Sequence, residues 1–102
     1  MLHMVVATHG PDTCAASHPE IREIAMAGMQ RMGEAAGALG ATFQGAWTNM
    51  PAHVLYFLVD APNAHVVNQL AADLRLMEWN TVIVNPVITM DQAVGKLTGG
   101  GG

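Results

Sequence analysis

Charge is scarce in this sequence. Of its 102 residues, 12% are charged, about half the usual ~25%, while 51% are hydrophobic. Four residues are basic and eight are acidic, which gives a net charge of -4. A nucleic-acid partner is therefore not expected, because no basic stripe is present to neutralise phosphates. The low charge content instead predicts that part of the surface is covered by a partner.

Cysteine and long apolar runs are also nearly absent. The single cysteine, Cys14, excludes an intramolecular disulfide framework and a four-thiolate zinc site within one chain. No apolar run approaches the ~20 residues of a membrane span, and the start of the sequence lacks a basic signal-peptide segment. We therefore expect a cytoplasmic protein without a membrane partner. The length allows one domain, predicted at residues 1–97, followed by a flexible glycine tail at 98–102.

The apolar pattern predicts the element order β-α-β-β-α-β. The predicted elements are strand 2–8, helix 19–39, strands 41–48 and 53–60, helix 64–74, strand 81–88 and a short last helix at 90–97. Right-handed crossovers and a central hairpin fold this order into a four-stranded antiparallel sheet with strand order 4-1-3-2. Both main helices then cover one face, which is the ferredoxin-like α+β arrangement. Pro86 predicts an edge position or a bulge for the fourth strand.

The second face of the predicted sheet has no helix to cover it. Strand two is expected to present Phe43 and Trp47 on one side. Strand three presents Leu55, Phe57 and Val59 on one of its sides. Neither face of the sheet is then polar enough to be exposed to water. The simplest way to bury the uncovered face is to pack it against the same face of a second copy. We therefore expect a homodimer that pairs sheet to sheet. A higher homo-oligomer could form through the methionine-bearing helix faces, where Met26 and Met29 lie.

Three segments resemble a known superfamily. They are Gly45-Ala46-Trp47 in strand two, Trp79-Asn80 before strand four, and Asn85-Pro86-Val87-Ile88-Thr89-Met90-Asp91-Gln92-Ala93 at the end of the domain. On these residues the sequence, from 1 to about 97, resembles small bacterial dimeric α+β barrel proteins whose function is uncharacterised. The resemblance implies ferredoxin-like domains that pair into a closed barrel. That superfamily includes heme-degrading and cofactor-free monooxygenases, lactone isomerases and a few nickel-binding proteins, so the resemblance implies an architecture more than an activity.

Four candidate metal ligands belong to one end of the predicted domain: His9, Cys14, His18 and His53. Two imidazoles with a thiolate or a third imidazole suit zinc, copper or nickel, with bonds of ~2.0 to 2.3 Å. The spacing His9-x4-Cys14-x3-His18 is not a known metal signature, so a plain polar loop cluster is the alternative. His18 can instead be only the cap of the helix that begins at Pro19. Cys14 can instead be a small buried apolar group.

Aromatic residues predict a second kind of site. An apolar pocket between the helices and the sheet is expected to be lined by Trp47, Tyr56, Phe57 and Trp79, with His9, His53, Asn49 and Glu78 at its mouth. Of these, Trp47, Tyr56, Trp79 and Asn49 are the candidate residues for binding a cofactor or small molecule. A histidine there could act as a general base on a small apolar substrate. The alternative is that the aromatic side chains simply form the core.

Several functions are consistent with these patterns. The first is a small homo-oligomeric ligand-binding protein that holds a first-row transition metal through the His/Cys cluster. The second is a cofactor-independent monooxygenase or isomerase that acts on a small apolar compound. The third is an accessory protein that acts only through assembly. The sequence contains no Ser-His-Asp order, phosphate-binding glycine loop or dinucleotide motif, and so it does not decide whether the protein is an enzyme.

Overall fold

The computed structural model describes residues 1–99. Its elements are β1 (Leu2–Thr8), α1 (Pro19–Ala38), β2 (Thr42–Asn49), β3 (Val54–Asp60), α2 (Ala64–Asp73), β4 (Thr81–Val87) and α3 (Met90–Leu97), with 3-10 turns at Pro11–Thr13 and Leu76–Glu78. Every predicted element is present. Of the predicted tail, residues 100–102 lie outside the described part. No helix within residues 1–99 is long and apolar enough to cross a membrane.

All four strands form one antiparallel sheet in the order β2-β3-β1-β4. Read from the other edge, this is the predicted order 4-1-3-2, so the predicted topology is confirmed for a single chain. β4 occupies one edge. That position suits Pro86, because proline has no N–H to donate to a further strand.

The predicted faces of β2 need a correction. Phe43 lies opposite Val59 of β3, whereas Trp47 lies opposite Tyr56, and the register shifts between Phe43 and Gly45. This bulge adds one residue to β2, so the alternation of side chains reverses beyond it. Phe43 consequently packs against the core, while 56% of the Trp47 surface is exposed. The prediction that Phe43 and Trp47 share a side was wrong.

The core lies between one sheet face and the helices α1 and α2. Val5 of β1 and Phe57 of β3 are paired neighbours in the sheet, and both are buried. Above them α1 buries Met32 and Ala36, which lie one helical turn apart. Helix α2 adds Val67 and its neighbours on the same stripe. This layer leaves the loops at one end of the sheet free to form a site.

His3 is an exception within this apolar core. Its side chain is fully buried on the same face as Val5 and Ala7, and neither ring nitrogen has a hydrogen-bond partner among the described residues. Its register neighbours are Val59 of β3 and Pro86 of β4, whose side chains have no polar atoms to offer. A buried polar group without a partner costs about 1–3 kcal/mol.

We therefore expect the substitution His3→Leu to raise the free energy of unfolding by about 1 kcal/mol, measured by urea denaturation. Leucine fills the site without leaving a polar atom unpaired. The control is His65→Leu, at an exposed position of α2, which should change the free energy by less than about 0.5 kcal/mol. A less stable His3→Leu protein would show that the imidazole makes a favourable interaction.

The other face of the sheet, called here the open face, carries no helix. Its central register positions hold mostly apolar side chains: Leu2, Met4, Val6, Trp47, Tyr56, Leu58, Ile83 and Val87. Within residues 1–99 the four strands contain one charged side chain, Asp60, which pairs with the N-terminal ammonium of Met1 at 2.8 Å. Helix α3 buries no residue, and its exposed Met90, Val94 and Leu97 lie along one stripe. The open face is therefore apolar and free of unpaired charge.

Candidate metal centre

Three of the four predicted ligands lie together at one end of the sheet. His9, Cys14 and His53 are half-buried, and each offers a ligand atom within 4.8 Å of the other two. Tetrahedral ligands with bonds of ~2.0–2.3 Å lie roughly 3.3–3.8 Å apart. The three ligand atoms would therefore have to move about 1 Å closer together to coordinate one ion. This cluster, called here the His/Cys site, could hold a metal ion.

The backbone explains why the two imidazoles meet. The paired register of β1 and β3 ends at Thr8 and Val54. Beyond it, the His9 N–H donates to the His53 carbonyl at 3.1 Å. His9 and His53 are thus cross-strand neighbours, one residue beyond the last register pair of β1 and β3. Their ring centroids lie 5.3 Å apart.

His53 has an unusual backbone conformation, with φ at 56° in the left-handed region. It closes the turn between β2 and β3, where its N–H donates to the Met50 carbonyl at 3.2 Å. A residue with a Cβ costs roughly 1–2 kcal/mol in this region, and glycine avoids that cost.

Cys14 reaches the His/Cys site from the loop between β1 and α1. It directly follows the 3-10 turn Pro11–Thr13. The hydroxyl of Thr13 donates to the Trp79 carbonyl at 3.1 Å. On the other side, Arg22 of α1 donates to the two backbone carbonyls that follow Cys14, at 3.1 and 3.0 Å. These bonds hold the loop on both sides of the thiol.

His18, the fourth predicted ligand, is not in the cluster. It does occupy the N-cap position of α1, but its side chain makes no capping hydrogen bond. Its Nε2 lies 3.1 Å from the Pro11 carbonyl and donates to it. Pro19 keeps the preceding residue in an extended conformation, and here the His18 ring is bonded to the 3-10 turn. The prediction that the His18 side chain caps the helix was wrong.

Asn80, the residue before β4, contributes to the site although it was not among the predicted site residues. Its Nδ2 donates to the Leu76 carbonyl at 3.1 Å, which leaves Oδ1 as an acceptor. That oxygen lies 2.8 Å from Nδ1 of His9. His9 therefore carries its proton on Nδ1, and the lone pair of Nε2 is free for a metal. The motif Trp79-Asn80 was the one sequence signal at this position.

Two adjoining cavities lie beside these residues. His9, Cys14 and His53 line a small chamber of about 110 Å³. Next to it, between α1 and the sheet, is a larger cavity of about 360 Å³. The residues common to both walls are Ala15, Thr48, Met50, Leu55 and Trp79. The His/Cys site thus lies at one end of an apolar cavity.

The predicted aromatic pocket is present with a changed lining. Phe57 and Trp79 line the larger cavity, and Trp47 also borders it, although the register position of Trp47 is on the open face opposite Tyr56. Tyr56 does not line the cavity; it alternates with Phe57 along β3 and takes a position on the open face. Asn49 does not line it either, and its Oδ1 instead accepts the Ala52 N–H at 3.2 Å within the turn.

Glu78, predicted at the mouth of the pocket, lies in neither cavity wall. It is exposed and forms a salt bridge with Arg75, with Nε and Oε2 2.6 Å apart. The hydrogen bond from Arg75 lowers the pKa of Glu78, and the same bond raises the pKa of Arg75. Glu78 therefore stays ionised at neutral pH and belongs to the surface.

No protein-family model matches this chain, and no curated protein is significantly similar to it in sequence. The resemblance to dimeric α+β barrel proteins therefore stays a prediction.

Proposed function

We propose that this protein binds a first-row transition metal ion through His9, Cys14 and His53. The supporting observation is that two imidazoles and one thiol, from separate parts of the chain, lie within 4.8 Å of one another. Nitrogen and sulfur ligands suit zinc, copper and nickel, whereas calcium and magnesium prefer oxygen. The sulfur ligand must be a thiolate, which suits the reducing cytoplasm as the location of the protein.

Three protein ligands favour a site with an open position. Structural zinc sites usually have four protein ligands, whereas catalytic zinc sites have three and leave the fourth position to water or substrate. The small chamber beside His9 and His53 provides space for such a molecule. The proposed metal would thus be accessible to a small ligand.

The test is the metal content of untagged protein. We expect zinc, copper or nickel to bind at about one ion per chain, measured by elemental analysis after dialysis. Protein that retains no metal and takes up none at micromolar concentrations contradicts the proposal.

Asn80 should support metal binding through His9. Its Oδ1 fixes the His9 proton on Nδ1, and loss of such an outer hydrogen bond typically costs 10–100-fold in metal affinity. We expect Asn80→Ala to weaken zinc binding by about 10-fold or more. A chelator-competition titration measures this, and unchanged affinity in a folded variant would contradict the orienting role.

We also propose that two copies pair through their open faces. The open face is apolar, and its one charged side chain, Asp60, is already paired with Met1. A second copy offers the same face, so a two-fold axis brings apolar surface onto apolar surface without burying a free charge.

A second candidate function is a cofactor-independent monooxygenase or isomerase. The observation that favours it is the larger cavity of about 360 Å³ next to His9 and His53. In this candidate an imidazole removes a proton from a small apolar substrate. Turnover that persists after complete removal of metal would support it, and activity that is lost with the metal would oppose it.

A further inference from the structure

The wall of the small chamber offers nitrogen and sulfur donors and little oxygen. Besides His9, Cys14 and His53 it includes Met50, whose side chain is a thioether. Its other residues are two alanines, a leucine, a tryptophan and Thr48, so no carboxylate or other charged side chain of residues 1–99 is in that wall. Thiolate and thioether sulfur favour soft ions such as copper(I), and imidazole also suits copper. The donor set is therefore suited to copper.

The charges at the His/Cys site favour a monovalent ion. When they bind a metal, the two imidazoles are neutral and the Cys14 thiolate carries one negative charge. Copper(I) then forms a neutral group with its ligands, whereas zinc(II) or nickel(II) leaves one positive charge that no side chain in the wall compensates. An uncompensated charge in apolar surroundings is unfavourable.

The charged side chain that is bonded to the Cys14 loop adds to this effect, because it is a cation. Arg22 donates to the carbonyls of Ala15 and Ala16 at 3.1 and 3.0 Å. Both alanines belong to the chamber wall. A positive guanidinium beside the wall stabilises the thiolate but repels the excess charge of a divalent ion.

We infer that the His/Cys site is selective for copper(I) over zinc(II). The inference rests on the proposed metal-binding function and adds the identity and the charge of the ion. Two imidazoles and one thiolate form a trigonal ligand set that suits copper without a fourth protein ligand. The reducing compartment proposed above keeps the thiol reduced and also keeps copper monovalent.

The first test compares the affinities of the untagged protein for the two ions. Copper(I) is supplied without oxygen, with ascorbate, in competition with bathocuproine disulfonate; zinc(II) is supplied in competition with a zinc chelator. We expect about one copper(I) ion per chain, bound at least about 100-fold more tightly than zinc(II). An equal or higher affinity for zinc(II) overturns the inference.

A matched pair of variants tests whether charge causes the selectivity. Thr48 lines the chamber and is exposed, so Thr48→Asp adds a carboxylate to the wall that still reaches water. This carboxylate compensates the charge of a divalent ion, and the ratio of copper(I) to zinc(II) affinity should fall by about 10-fold or more. Thr48→Asn has a similar shape without the charge and should keep the ratio within about 3-fold of the parent. A parental ratio in Thr48→Asp, or an equal fall in Thr48→Asn, contradicts the charge argument.

X-ray absorption of the copper-loaded protein identifies the ligands. It should show one thiolate sulfur and two imidazole nitrogens around copper, whereas two thiolate sulfurs would mean an ion held between two chains and would overturn the inference. If zinc(II) or nickel(II) binds through His9, Cys14 and His53 at least as tightly as copper(I), the inference fails and the metal proposal stands. If none of the three ions binds, both fail.

Discussion

Replacing His53 by glycine should weaken zinc binding by about 100-fold or more and leave the metal-free protein folded. Loss of a residue that only supports a ligand costs 10–100-fold, so loss of an imidazole ligand should cost at least as much. Glycine adopts the left-handed φ of 56° at this position without strain. The free energy of unfolding without metal should therefore stay the same or rise by about 1 kcal/mol. Chelator competition measures the affinity, and urea denaturation measures the stability.

The matched control is His18→Ala. The His18 ring is bonded to the Pro11 carbonyl and is not in the His/Cys site, so the variant should bind zinc within about 2-fold of the parent. Two results would contradict the assigned ligands. One is a His53→Gly protein with parental affinity, and the other is a His18→Ala protein that loses as much affinity as His53→Gly.

Ile83→Glu should convert the proposed homodimer into monomers at micromolar concentration. Ile83 is on the open face at the edge strand β4, and 56% of its surface is exposed in the single chain. Glutamate there is tolerated by the isolated domain, because the side chain still reaches water. In the dimer it would be buried without a partner, which costs several kcal/mol. Light scattering after size-exclusion chromatography gives the mass.

Met26→Glu is the control for this variant, because Met26 is 57% exposed but lies on α1. It should remain dimeric. A monomeric parent protein, or a dimeric Ile83→Glu protein, would contradict pairing through the open face. All three residues of the His/Cys site come from one chain, so the Ile83→Glu monomer should still bind zinc.

The topology could be predicted from the sequence because each element has a clear period. The helical stripe of α1, for example, places Gly28 and Met32 about one turn apart, and both are buried. The bulge in β2 could not be predicted in the same way. An added residue such as Gln44 leaves a short strand looking regular, although every side chain beyond it changes face.

The part of the candidate site that depends on backbone pairing could be predicted from the sequence. His9 and His53 meet because they extend the β1–β3 pairing, and that pairing follows from the topology. The contributions of His18 and Asn80 depend on side-chain contacts instead. The His18 ring bonds to Pro11, and Asn80 meets His9 across a separation of 71 residues. Neither contact leaves a periodic signal in the sequence.

The ligands of the proposed metal can be identified by cobalt(II) titration of the parent and of Cys14→Ser, because the optical spectrum of bound cobalt depends on its ligands. For the parent we expect saturation at about one ion per chain, with visible bands of a tetrahedral ion and a near-ultraviolet sulfur-to-cobalt band. Cys14→Ser should lose the sulfur band and bind cobalt more weakly. A parent spectrum that matches free cobalt, or a sulfur band that survives in Cys14→Ser, would contradict a metal centre formed by His9, Cys14 and His53.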